Sequence, residues 1–221
     1  KGPEAADLSA LTYTFGIVGL EEAVQSLSHQ KMENSIDGWE QGLAIVSEME
    51  SYLEELEKES GLTLALARTP AETVAGRFAA LDLMDNNIAC QAMDVIKGDV
   101  EGCLAKIHAC GDTSTDQPVY YTNGTHMPVS ANISLGKKAD REGAFFPILS
   151  GGNIMHIFLG EEAPNPEALM SFAFKLAKET PVGYFCFTRD FTICLDCDRI
   201  SAGLKDECPL CRSKNIDHIS R

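Results

Sequence analysis

The sequence predicts an α/β fold with a small metal-binding segment at its C-terminal end. Three observations carry this: a helix-period apolar pattern over residues 39–60, short buried-strand runs alternating with helix signals, and two Cys-x-x-Cys knuckles, Cys194/Cys197 and Cys208/Cys211. The alternation of helix and strand is the pattern of an α/β sheet or barrel.

Each element has a local reason. Trp39, Leu43, Val46, Met49, Leu53 and Leu56 recur every three or four positions, Glu and Lys fill the opposite face, and Gly61 is placed to end the helix. Residues 62–67 (Leu-Thr-Leu-Ala-Leu-Ala) suit a buried strand. Thr69, Pro70 and Glu72 then read as a capping box: Thr69 as cap, Pro70 in the first turn, Glu72 reaching back. Further strands are expected at 119–121 and 154–158, and Asn165-Pro166 opens a helix carrying Leu169, Phe172 and Leu176. Residues 184–193 lead into the knuckles.

The knuckles carry the most specific chemistry. A two-residue gap turns both sulfurs of one knuckle toward a single ion, and the ten residues from Asp198 to Glu207 let the second knuckle face the first. Four thiolates in a closed shell favour zinc over magnesium or calcium. They leave no open position for catalysis, so the metal is expected to be structural. A pair of disulfides or a redox dithiol is the competing reading. Cys90, Cys103, Cys110 and Cys186 lack knuckle spacing, sit among apolar neighbours, and are expected to be reduced, buried small residues.

Composition narrows the partners. The 221 residues carry 18 Lys+Arg against 33 Asp+Glu, a net charge of -15, which repels nucleic acid and anionic membranes. The zinc segment does not reverse this, because residues 183–221 hold six basic and six acidic side chains. No apolar run approaches the roughly 20 residues of a membrane span, no signal peptide is visible, and a reducing cytoplasm fits the free cysteines. The chain opens Lys1-Gly2-Pro3 without Met and reads as a fragment or processed piece.

Three loops are candidates for chemistry. Residues 68–73 join a strand to a helix N-terminus, where free N–H groups hold phosphate; Glu72 there is either catalytic or a plain capping glutamate. Residues 122–126 (Thr-Asn-Gly-Thr-His) and 150–153 (Ser-Gly-Gly-Asn) are either ligand loops or ordinary turns. His156, alone in an apolar strand, is expected to be a satisfied core residue.

Taken in order, Phe15-Gly-Ile-Val-Gly-Leu-Glu-Glu-Ala23, Thr69-Pro-Ala-Glu72 with Arg77-Phe78, Tyr120-Tyr-Thr-Asn123, Gly151-Gly-Asn153 with His156, and the terminal knuckles resemble the C-terminal part of anaerobic (class III) ribonucleoside-triphosphate reductases, which are glycyl radical enzymes. Glu21 departs from the family's Gly-Leu-Asn-Glu run. The resemblance implies part of a ten-stranded α/β barrel of the glycyl radical enzyme type over residues 1–182, with a zinc-ribbon-like tail over 183–221. It implies reduction of ribonucleoside triphosphates to deoxyribonucleoside triphosphates. In the family a glycyl radical generates a cysteine thiyl radical, which abstracts the ribose 3′ hydrogen before the 2′ hydroxyl leaves as water, in a site closed to solvent.

Further implications concern partners and residues. A radical S-adenosylmethionine activating enzyme with an iron–sulfur cluster installs the radical, effector nucleotides bind the N-terminal part, and a homodimer is expected. Carried onto this chain, Cys194, Cys197, Cys208 and Cys211 ligate zinc. Thr69, Ala71 and Thr73 contact substrate phosphates or ribose, with Glu72 as a proton-transfer or orienting group, and Asn123, Gly152 and Asn153 lie near the barrel interior. The family's radical glycine follows soon after the second knuckle and its thiyl cysteine precedes the Gly-Ile-Val-Gly run. No radical role therefore falls to Cys90, Cys103, Cys110 or Cys186, and the chain alone is expected to be inactive. The alternatives are a non-enzymatic zinc-ribbon module that binds protein or nucleic acid, and another glycyl radical enzyme acting on a small carbon acid.

Overall fold

The computed structural model describes residues 7–69, 71–85, 88–110, 119–128, 131–159 and 164–219. Pro70 and the side chains of Glu72, Cys90 and Cys110 lie outside the described residues. The chain divides into two compact units, Lys1–Asn153 and Ile154–Arg221.

In the first unit β1 (Thr12–Gly16) runs into α1 (Leu20–Ser28) and α2 (Ile36–Ser60) before β2 (Thr63–Ala67) returns beside β1. β1 and β2 are parallel, in register from Thr12 opposite Thr63 to Gly16 opposite Ala67. A parallel pair cannot be closed by a tight turn, and α1 and α2 supply the crossover. α2 begins ahead of its apolar pattern because Ser35 accepts a hydrogen bond from the Gly38 N–H through its side chain. It stops at Gly61, whose φ of 68° suits a residue without Cβ and whose N–H returns to the Glu57 carbonyl. The expected helix and strand therefore form where their patterns lie.

The core of this unit is built where α1, α2 and β2 meet, from Val24, Met32, Val46, Leu66, Met127 and Phe145, all essentially without exposure. Gly42 allows Met32 to lie against α2, since a Cβ there would meet the Met32 sulfur. A second apolar cluster joins α3 (Glu72–Met84), α4 (Ala89–Val95), α5 (Val100–Cys110) and the strand pair β3 (Lys97–Gly98) and β4 (Val119–Tyr120) through Ala79, Ala80, Leu83, Ala92, Ile96 and Cys103. Here small residues dominate, which brings the helices close. α6 (Leu135–Gly143) is capped by the Ser134 side chain, which accepts from the Lys137 N–H.

The capping box expected at Thr69 does not form. The residue preceding α3 is Ala71, without a side-chain cap, and the first helical bond runs from the Ala75 N–H to the Ala71 carbonyl at 2.7 Å. The Arg68 N–H is held by the Gly152 carbonyl at 3.0 Å, and the helix starts two residues later than the capping box placed it. Thr69 instead lies over Gly16, where a Cβ would meet its Oγ1 at 2.5 Å.

In the second unit β5 (Met155–Leu159), α7 (Pro166–Glu179) and β6 (Phe185–Arg189) form another parallel strand–helix–strand, in register from Met155 opposite Phe185 to Leu159 opposite Arg189. Asn165 caps α7 by accepting from the Glu167 and Ala168 N–H groups, with Pro166 in the first turn. Of the expected anchors Leu176 is buried, whereas Leu169 and Phe172 are half-buried. β7 (Phe191–Cys194) is the centre of a three-stranded antiparallel sheet, between β8 (Ile200–Ala202) and β9 (Ile216–Ile219). Two further expectations are corrected here. Cys186 is half-buried and lies 3.2 Å from the His156 ring, because the two are register partners on β6 and β5, so neither is a residue of an apolar core. Cys103 is buried as expected.

Glu21, the residue that departs from the family run, is fully buried in the first turn of α1. Its Oε2 accepts from the Met32 N–H at 3.1 Å, while its buried Oε1 has no hydrogen-bond partner among the described residues. Burial pushes the carboxyl up to about 7, against the pull of the Met32 N–H. A carboxyl raised on folding contributes stability below its unfolded value of 4.5, and loses it as pH rises toward 7. Glu21→Gln should therefore gain on the wild type by about 2 kcal/mol between mildly acidic and mildly alkaline pH. Denaturant unfolding of both proteins across that range checks this; parallel curves refute it.

Candidate functional site

The loops singled out in the sequence converge at the C-terminal ends of β1 and β2. On the β1 side, Gly19 N–H reaches the Thr122 carbonyl at 2.8 Å and Gly124 N–H reaches that of Ile17 at 3.0 Å. On the β2 side, Gly151 N–H donates to the Leu66 carbonyl at 2.7 Å, and Ala67 bridges to Gly152 as a further parallel pair. Gly151 is needed for this approach, since a Cβ would stand 3.0 Å from both the Leu66 carbonyl and the Ala67 Cβ.

Arg68 ties the loops together. Its side chain has no exposure, and its Nη2 donates to Glu142 Oε2 at 2.8 Å, its Nη1 to Asn153 Oδ1 at 3.1 Å and its Nε to His126 Nδ1 at 2.6 Å. Burial pulls the Arg68 guanidinium down from its ordinary value and the Glu142 carboxylate pulls it back up. Because a guanidinium N–H only donates, His126 Nδ1 accepts and its ring proton sits on Nε2. The Asn123 carbonyl, 2.7 Å from the same Nδ1, is then a close contact and not a second hydrogen bond. Glu142 spends its other oxygen on the Met127 N–H at 2.9 Å, with Lys138 Nζ at 3.7 Å. Gly124, at φ 55°, lies against the Arg68 stem, where a Cβ would meet Cγ at 2.5 Å.

Around this pair three buried polar atoms have no hydrogen-bond partner among the described residues: Asn123 Oδ1, Thr125 Oγ1 and Asn153 Nδ2. Two acceptor-capable oxygens and an amide donor left unsatisfied are the groups a polyhydroxyl ligand would engage. Of the residues named from sequence, Asn123, Gly152 and Asn153 belong to these converging loops. Thr69 follows Arg68 and is half-buried, Ala71 precedes α3, and Thr73 is exposed on its first turn. Arg68, His126 and Glu142 were not singled out; Arg68 and His126 lay in the named loops, but Glu142 is 74 residues from Arg68 in a polar helix and gave no local signal.

Next to these loops Glu22, buried in α1, accepts from Thr122 through both carboxylate oxygens, from Oγ1 at 2.7 Å and from the N–H at 3.1 Å. Tyr121 donates to Asp82 at 2.6 Å, and burial raises its hydroxyl above the ordinary value.

In the second unit the sulfurs of Cys194, Cys197, Cys208 and Cys211 all lie within 4.8 Å of one another. Cys194 and Cys211 are 3.5 Å apart, Cys197 and Cys208 3.6 Å. Zinc–sulfur bonds of about 2.3 Å in a tetrahedron place sulfurs about 3.8 Å apart, so the cluster fits that ion. The two knuckles fold alike. The Cys194 N–H donates to the Arg199 carbonyl and the Cys208 N–H to that of Ser213, and the residues after the second cysteines, Asp198 and Arg212, take φ of 55° and 62°. Asp196 joins them by accepting from Asn215 Nδ2 at 2.7 Å and from the Ser213 hydroxyl. The Cys211 and Leu210 N–H groups draw Cys208 down to about 6. Cys197 is pushed up to about 12, because burial and the neighbouring sulfurs outweigh the Arg199 N–H. A metal ion takes cysteine as the thiolate, so binding at this cluster would release the protons its sulfurs carry.

Among the described residues no helix is long and apolar enough to cross a membrane. Residues 4–221 match the sequence model of the anaerobic ribonucleoside-triphosphate reductases. The chain is 27% identical over 144 residues to the anaerobic ribonucleoside-triphosphate reductase of Haemophilus influenzae, covering 65% of this chain and 17% of that protein. It is 26% identical over 136 residues to the phage T4 enzyme, covering 62% of this chain and 19% of that one. The chain therefore spans about a sixth to a fifth of these relatives' length. Its fold is that of the anaerobic ribonucleotide reductase from Thermotoga maritima with glycerol in the active site: the TM-score is 0.66 at 20% identity, over 90% of this chain and 28% of the other. The same enzyme in complex with dATP and CTP superposes with a TM-score of 0.60 at 19% identity, over 90% of this chain and 29% of that one. Match and fold agree over nearly the whole sequence, and the chain belongs to the anaerobic ribonucleoside-triphosphate reductase family.

Proposed function

We propose that this chain is the C-terminal part of an anaerobic ribonucleotide reductase, an oxidoreductase that converts ribonucleoside triphosphates to deoxyribonucleoside triphosphates. The observation that carries the reading beyond family membership is the meeting of the loops at 122–126 and 150–153 on buried Arg68, which leaves Asn123, Thr125 and Asn153 with unsatisfied polar atoms. In this reading Asn123 and Asn153 face ribose hydroxyls, Gly152 lets backbone approach the sugar, and Thr69, Ala71 and Thr73 at the start of α3 face phosphate, with Glu72 orienting or moving a proton. Arg68 does not touch substrate; it holds the two asparagine loops at a fixed separation.

The two parallel strand–helix–strand units, β1 to β2 and β5 to β6, support a barrel of the glycyl radical type. We assign residues 1–182 to that barrel and 183–221 to a zinc-ribbon tail, in which β6 pairs back onto β5 before the knuckle sheet begins. Glycyl and thiyl radical chemistry, installed by a radical S-adenosylmethionine activating enzyme with an iron–sulfur cluster, belongs to the same reading, as do nucleotide effectors, a homodimer and a cytoplasmic location. Zinc held by Cys194, Cys197, Cys208 and Cys211 has no open position and stiffens the tail.

Reduction of CTP under anoxia by the protein that contains this chain tests the reading. Wild type should form dCTP, and Arg68→Met should lower turnover by at least about 100-fold, since displacing substrate by an ångström costs that much, with zinc content unchanged. Failure of the wild type to reduce any ribonucleotide after activation overturns the assignment.

Metal analysis gives an independent outcome. Anoxically purified chain should carry about one zinc per polypeptide, held less tightly as pH falls because protons compete for the thiolates. Cys208→Ser should release it while leaving the helical circular dichroism nearly intact, because α1 to α7 all precede the knuckles. Iron with labile sulfide would refute the structural-zinc assignment.

A further inference from the structure

β5 and β6 present two different faces. Met155 and Ile157 are buried, and Phe187 meets Phe172 of α7 with ring centroids 6.3 Å apart, so α7 packs on that face. The alternate positions His156, Phe158, Cys186 and Thr188 lie on the opposite face, where Phe158 is 44% exposed and the other three are half-buried. On it Cys186 Sγ stands 3.2 Å from His156 Nδ1 and 3.7 Å from Thr188 Oγ1, and Thr188 Oγ1 is 3.4 Å from the same Nδ1. The imidazole is stacked beside Phe158 at 6.2 Å and 24° between planes. A thiol within hydrogen-bond reach of an oriented imidazole is the geometry of an activated sulfur nucleophile.

We propose that Cys186 and His156 form a reactive thiol site that is modified by low-molecular-weight disulfides. His156, with its proton on Nε2, accepts the Cys186 proton at Nδ1 as Sγ attacks one sulfur of the disulfide. The sulfur–sulfur bond of the reagent breaks, a mixed disulfide forms on Cys186, and the departing thiolate takes the proton back from His156. Cys186 and one reagent sulfur end as the new disulfide, the other reagent sulfur is reduced to a thiol, and nothing else is consumed. Thr188 fixes the nitrogen's position, and the exposed Phe158 ring offers an apolar seat for the carbon chain that becomes attached. The other described thiols differ: Cys103 is fully buried, and the knuckle cysteines are committed to metal.

The test treats the zinc-loaded chain with hydroxyethyl disulfide near neutral pH, quenches with acid and N-ethylmaleimide, and maps modification by peptide mass spectrometry. Cys186 should be converted first, at least about 10-fold faster than Cys103, and His156→Gln should slow it about 10-fold or more, in the range of a lost general base. Conversion of Cys186 in the folded chain no faster than in the chain unfolded by guanidinium overturns the proposal, as does an unchanged rate in the folded variant. Should His156→Gln lose its zinc or helix content, the wild type decides by itself.

Discussion

A guanidinium shielded from water at the end of β2 sets the arrangement of everything around it. Isolated, such a charge is too costly to bury, and it persists only when its donors are met by a carboxylate and by fixed acceptors. Arg68 meets Glu142, Asn153 and His126, and each partner arrives on a different segment. Glu142 is itself tied to the Met127 N–H, so the loop after β4 and helix α6 are fastened to the same charge. Removing either member of the pair leaves the other uncompensated, a loss of about 3–5 kcal/mol in buried sites.

Glu22 repeats this logic on the neighbouring segment, where α1 is anchored to Thr122 by both oxygens of one carboxylate. Glu21, one residue earlier, gains only the Met32 N–H. Adjacent residues of the same type thus differ in how completely burial is compensated. The run at 19–23 is at once a helix start and a fastening point for the polar loop.

What could be read from the sequence was what local chemistry decides. α2 and α7 announce themselves by periodicity and by Gly61 and Asn165 at their ends, and the knuckles by a spacing that suits a shared ion better than two disulfides. Thr69 misled because its neighbours spell a capping box, while the helix it was expected to cap begins only after Ala71. The Arg68–Glu142 pair and the His156–Cys186 contact depend on a helix approach and on a parallel register, neither of which leaves a short-range pattern. The three polar loops stood out by composition, but that they meet is a property of the β1–β2 pairing.

The likeness of the two knuckles bears on how the sulfurs are placed. Each has its own N–H to carbonyl closure and its own left-handed residue, so each pair of sulfurs is placed by bonds local to its own turn. The second half is set opposite the first by the pairing of β7 with β9 and by the Asp196 contacts to Ser213 and Asn215, so the spacing of the four sulfurs is held by the chain's own hydrogen bonds.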